Sequence, residues 1–132
     1  MPGKQRAVKI VQQWLDAVNQ QNDERLAELS DPHIEIIGPR GSAYGRAILR
    51  EWLVRAGVNL TTQKIFARNN VVVVAQRGVW QGEATGGVPS MANLASVFQV
   101  DGERVTYYAR YDTLDQALAN ASLTEADQVD LP

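Results

Sequence analysis

Near the start of the chain, Val8, Val11, Leu15 and Val18 recur at helical spacing with Ile10 and Trp14 between them, which predicts an amphipathic helix over residues 4–20. Asn22 supplies an N-cap for a short second helix carrying Leu26 and Leu29 at i, i+3, and Pro32 ends it. His33 to Ile37 alternates as a strand does, closed by the turn Gly38-Pro39-Arg40-Gly41. In YGRAILREWLVRAG, Ile48, Leu49, Trp52, Leu53 and Ala56 make one apolar stripe of a third helix, with Gly57 suited to its C-cap. Beyond it the pattern becomes β-branched over 58–68, 70–80, 92–100 and 104–112. These runs are separated by Asn69-Asn70, the loop GEATGGVPS and Asp101-Gly102, which predicts an antiparallel meander. Thr113 and Gln116 form a capping box for a short last helix through Leu118.

This order predicts an α+β fold, a cone-shaped domain in which a curved antiparallel sheet wraps around three N-terminal helices, with the helices gathered on one face. Residues 1–122 read as a single domain and 123–132 as an acidic, mobile tail. Helices laid into a bent sheet leave a conical space, the natural place for a small-molecule ligand.

Composition narrows the chemistry. With 45% hydrophobic and 21% charged residues the chain reads as an ordinary soluble globule, and 132 residues suffice for one core. A formal charge of −2 with scattered Lys and Arg argues against a nucleic-acid partner. The absence of cysteine removes disulfides, thiolate nucleophiles and soft metal sites, and one histidine cannot build a zinc site, so no metal or cofactor is expected. No stretch approaches the roughly 20 apolar residues that cross a bilayer, and the first residues lack a signal peptide's apolar run, so no membrane partner is expected and the cytoplasm is the default location.

Several motifs have plain readings. GPRGSAYGR lacks the Gly-Lys-Ser/Thr ending of a phosphate loop and reads as a strand-to-helix turn, while GEATGG reads as a hairpin loop. His33 has the pKa of a general base, but at a strand start after Asp31-Pro32 it reads as solvent-facing, and no serine sits in an elbow motif to pair with it. Trp14, Trp52 and Trp80 fall on apolar faces, where they are either plain core or walls of the hollow.

The order of elements, with IEIIGPRGSAYGRAILREWL, VFQVDGERV and ARYDTLDQAL, resembles the nuclear-transport-factor-2-like superfamily, and within it SnoaL-like and ketosteroid-isomerase-like domains. The resemblance covers about residues 5–120 and implies the cone fold, but not one reaction, since these folds host isomerases, cyclases, hydrolases, dehydratases and binders. The positions matching the isomerase base and its two oxyanion donors are Ile36, Trp14 and Ser96, so all three catalytic groups are replaced. Epoxide hydrolases of this fold are similar in placing a catalytic aspartate on the last strand, where Arg110 stands here. Counted from Val105, the pocket-facing positions implied by the resemblance are Tyr108, Arg110 and Asp112; on the third strand they include Val72, Val74, Gln76, Gly78 and Trp80.

YYARYD, residues 107–112, carries the main ambiguity. Alternation splits it into Tyr107/Ala109/Tyr111 and Tyr108/Arg110/Asp112; burial favours the first set as interior, the family offsets favour the second. We take the second set as inward. The outer face, with Val73, Ala75, Ala95, Val97, Tyr107, Ala109 and Tyr111, then suits a homodimer. The reading is a binding domain for a partly apolar small molecule bearing a carbonyl or acidic group, lined by Trp14, Ile36, Trp52, Gln76, Trp80, Ser96, Phe98 and Tyr108 with Arg110 and Asp112. The alternative is a cofactor-free isomerase, cyclase or dehydratase in which Asp112 is acid or base and Arg110 stabilises negative charge.

Overall fold

The computed structural model describes residues 3–38, 41–51, 58–80 and 90–130. Helix α1 (Gly3–Asn19) turns one apolar face inward, so that Ala7, Val11, Trp14, Leu15 and Val18 are all buried. Asn22 caps α2 (Asp23–Glu28) by accepting from the Arg25 backbone N–H. The helix ends at Glu28 and strand β1 (Ser30–Gly38) begins before Pro32, so the proline lies inside the strand instead of stopping the helix.

Gly38 pairs with Gly41 across a tight hairpin to β2 (Gly41–Tyr44), an edge strand not expected from the sequence, after which α3 begins (Arg46–Leu49). The rest of the expected third helix, with Trp52, Leu53 and Ala56, lies outside the described residues. Strands β3 (Val58–Arg68), β4 (Val71–Trp80), β5 (Ser90–Asp101) and β6 (Arg104–Tyr111) form the expected meander. Gly102 takes a φ of 62° in the β5–β6 turn, a conformation in which glycine has no Cβ clash. Helix α4 (Leu114–Ala121) is capped by Thr113, which accepts from the Gln116 N–H, and runs past Leu118 to an αL Ser122.

Among the described residues, seven strands form one unclosed sheet in the order β2-β1-β6-β5-β4-β3-β7, antiparallel except for the parallel β1·β6 pair. Bulges between Thr62 and Lys64 on β3 and opposite Gln99/Val100 add local twist and bend the sheet. Helix α1 lies across the concave face against β3, β4, β5 and β6. It is tied there by Asn19, whose side chain accepts from Leu60 N–H at 2.7 Å and donates to Leu60 O at 2.9 Å, continuing the edge of β3.

Helix α4 is not one of the three N-terminal helices expected on the concave face. It packs on the other side, where Ala117, Leu118 and Leu123 cover Phe66, Val73, Ala95, Val97 and Ala109 in a second apolar cluster. Much of the outer surface anticipated for self-association is therefore already buried within the chain. The sequence carries apolar residues on both sides of these strands because both sides are covered.

The acidic tail is also more structured than expected. Thr124 caps a 3-10 turn (Glu125–Asp127), and β7 (Gln128–Val129) adds to the sheet opposite Ile65 and Phe66. Asp127 accepts from the Thr124 N–H and pairs with Arg68 at 2.7 Å. The Thr124 N–H, followed by the Arg68 guanidinium, holds the Asp127 carboxyl below its ordinary value, against the opposing effect of desolvation. A depressed folded-state pKa stabilises the clasp above the unfolded value and is lost as pH falls through the folded one. The Val129 amide resonance should therefore be pH-independent near neutrality and move toward its unpaired position below about pH 4. Asp127→Asn should produce the same movement at neutral pH; a Val129 amide unmoved by either change would contradict the clasp.

Candidate functional site

Cross-strand register sorts the concave face into rows. Ile36, Tyr108, Phe98 and Val72 share one, Arg110, Ser96 and Val74 the next, and Leu94 with Gln76 the one after. Val105 and Tyr108 both face α1 although they are an odd number of positions apart, because the register passes from Gln99↔Tyr107 to Val100↔Val105 and leaves Thr106 in a bulge. Without that extra residue, period-two alternation would carry Tyr107 inward.

The first row and α1 make an aromatic floor. Trp14 meets Phe98 edge-on with ring centroids 5.2 Å apart and Tyr108 at 5.1 Å, and Phe98 and Tyr108 lie 5.2 Å apart. All three are buried, as is Ile36. The Trp14 indole N–H donates to Ser30 Oγ at 2.9 Å, and Ser30 Oγ donates to Leu26 O at 2.7 Å. That N–H is thus engaged in fastening α1 to the α2–β1 junction. Ser30 has no apolar or motif signal in the sequence, and only the fold reveals it as a buried partner.

Above the floor runs a polar line. Ser96 Oγ donates to Gln76 Oε1 at 2.8 Å, and Ser96 also hydrogen-bonds Tyr108. Gln76 and Ser96 are both 0% exposed, among walls that include Val74 and Leu94. Burial pushes the Tyr108 phenol above its ordinary value, opposed by the Ser96 hydrogen bond and the nearby Arg110 charge. The phenol therefore stays protonated at neutral pH and acts as a hydrogen-bonding group, not a base. Gln76 Nε2 is buried without a hydrogen-bond partner among the described residues. An interior donor in this state costs about 1–3 kcal/mol relative to a satisfied one.

Arg110 is opposite Ser96 in register, with its side chain exposed at the end of that row. Asp112 is exposed, one residue beyond the end of β6. Tyr107 and Tyr111 are half-buried on the opposite face, alongside the α4 cluster. Trp52 and the side chain of Trp80 lie outside the described residues. His33 is exposed, its backbone N–H bound to Asp31 Oδ1 at 2.8 Å in a local turn.

Among the described residues no cluster of His, Cys, Asp or Glu could hold a metal, and no helix is long and apolar enough to cross a membrane. A groove of about 440 Å³ runs between α2 and α3, lined by Leu26, Leu49, Arg46 and the Asp23–Arg50 ion pair, but it contains none of the candidate site residues.

Comparison with solved structures shows the same fold at low identity. The epoxide hydrolase/cyclase-like enzyme SalBIII of pyran ring formation in salinomycin is 19% identical, with a TM-score of 0.74 over 84% of this chain and 93% of its own. A Mycobacterium tuberculosis protein in complex with estradiol-17β-hemisuccinate is 16% identical, with a TM-score of 0.71 over 83% and 95%. TerC co-crystallised with polyporic acid is 13% identical, with a TM-score of 0.71 over 88% and 97%. No curated protein matches the sequence. The family described as SnoaL-like domain matches residues 11–108, and with its aromatic-floored cone and α1 laid across a bent sheet the chain belongs to that family.

Proposed function

We propose that the chain is a small-molecule-binding SnoaL-like domain whose ligand lies on the concave face above Trp14, Phe98 and Tyr108. The ligand is partly apolar and carries a carbonyl or acidic group. One observation carries the reading: Gln76 Nε2 is a buried donor with no acceptor among the described residues. A ligand oxygen would supply the missing acceptor, and Val74, Leu94 and the aromatic floor would supply apolar contact. Because Gln76 is fully enclosed, the side chains above it must move as the ligand enters, and association should be slower than diffusional encounter. The relatives bound to estradiol-17β-hemisuccinate and polyporic acid support a ligand of this kind on this fold.

The enzymatic alternative, with Asp112 as acid or base and Arg110 stabilising charge, has less support because Asp112 is exposed and beyond the strand end. The proposal includes a cytoplasmic protein and self-association through the part of the outer face that α4 leaves uncovered, near the half-buried Ile37, Tyr107 and Tyr111 and the exposed Tyr44.

A thermal-shift screen of small carbonyl and carboxylate compounds tests the pocket, since ligand raises the melting temperature as it saturates the folded state. The hits should move the Gln76 side-chain amide resonances. Hits that leave those resonances fixed and perturb only exposed residues would contradict the reading.

A further inference from the structure

The concave face offers two kinds of recognition group at different depths. Gln76 Nε2 is buried, and its bonded neighbours Ser96 and Tyr108 are neutral, Tyr108 being held in its phenol form by burial. Arg110 lies two strands from Gln76, opposite Ser96, and is exposed. At ordinary strand spacing that places the backbones of β4 and β6 roughly 10 Å apart.

A carboxylate held at Gln76 would lose its hydration to neutral donors alone, which is unfavourable in a dry interior, whereas a neutral carbonyl oxygen loses far less. At Arg110 the balance is reversed. The guanidinium can take a carboxylate in a charge-assisted pair while the anion keeps part of its water. The two requirements therefore apply to two ends of one molecule.

We propose that the ligand is an oxo acid: a neutral carbonyl on Gln76 Nε2, an apolar spacer about one aromatic ring long crossing β5 at Leu94 and Ser96, and a carboxylate on Arg110. This rests on the pocket reading above and narrows its carbonyl-or-acid alternative to a compound with both groups in a fixed order.

Calorimetric titration with four probes tests it: 4-acetylbenzoate, its methyl ester, the alcohol obtained by reducing its ketone, and terephthalate. The oxo acid should bind most tightly. The ester and the alcohol should each bind about tenfold more weakly, and terephthalate, which would bury a second charge at Gln76, weaker still. Arg110→Gln should remove the preference for acid over ester but keep that for ketone over alcohol, and Gln76→Leu should do the reverse. Added salt should weaken the acid and leave the ester unchanged.

If acid and ester bind alike and Arg110→Gln changes neither, the oxo-acid assignment is overturned while the pocket stands. If none of the four binds, the oxo-acid assignment is overturned, and the pocket reading falls with it only if the wider carbonyl and carboxylate screen also yields no hit that moves the Gln76 amide.

Discussion

Replacing Trp14 by alanine is expected to lower the unfolding free energy by about 3–5 kcal/mol, the range for deleting a fully buried large aromatic. Two losses add here. The indole touches both Phe98 and Tyr108, so its removal opens a cavity at the centre of the floor. Its N–H also satisfies Ser30 Oγ, which is buried at the junction of α2 and β1. Against a typical total of about 5–15 kcal/mol, the variant should be marginally folded. Trp14→Phe keeps a ring but leaves Ser30 without its donor, and should cost less than Trp14→Ala. Urea denaturation of the three proteins checks the order; a cost for Trp14→Ala below about 1 kcal/mol, the level of a surface substitution, would contradict the central place given to this residue.

Gln76→Leu and Ser96→Ala are expected to change stability in opposite directions although the two side chains are bonded to each other. Ser96→Ala leaves Gln76 Oε1 and the Tyr108 hydroxyl unpartnered in the interior, and should cost about 1–3 kcal/mol. Gln76→Leu removes the orphan amide and leaves Ser96 free to donate to Tyr108. It loses one hydrogen bond of about 1 kcal/mol and relieves an unsatisfied donor of equal or larger cost. The result should lie between no change and a gain of about 1 kcal/mol. Thermal and urea unfolding of both variants checks this, and a clear loss for Gln76→Leu would mean that its amide is satisfied in the folded protein.

The elements of this fold were legible where periodicity is long. Helix α1 and the meander from Val58 to Tyr111 follow directly from their patterns. Short pieces were not: GSAY runs straight into a helical stripe, so β2 is hidden, and the acidic composition of the tail masks the single valine that enters the sheet. The facing of β6 could not be decided by apolarity. Tyr107, Ala109 and Tyr111 are the more apolar set, yet Ala109 is buried under α4 and Tyr108 under α1, so each face has a core to join. What sets the phase is the bulge at Thr106, which no local signal in VDGERVTYY marks. Of the proposed site, the residue types were readable, but Ser30's bond to Trp14 and the unsatisfied amide of Gln76 are properties of the packed chain.

The most direct test is the rise in melting temperature that saturating 4-acetylbenzoate gives to the unmodified protein and to Gln76→Leu. If Gln76 Nε2 is the ligand's anchor, the unmodified protein should gain several degrees, and the variant, though at least as stable without ligand, should gain clearly less at the same ligand concentration, as for a ligand bound about tenfold more weakly. An equal gain in both proteins would contradict it.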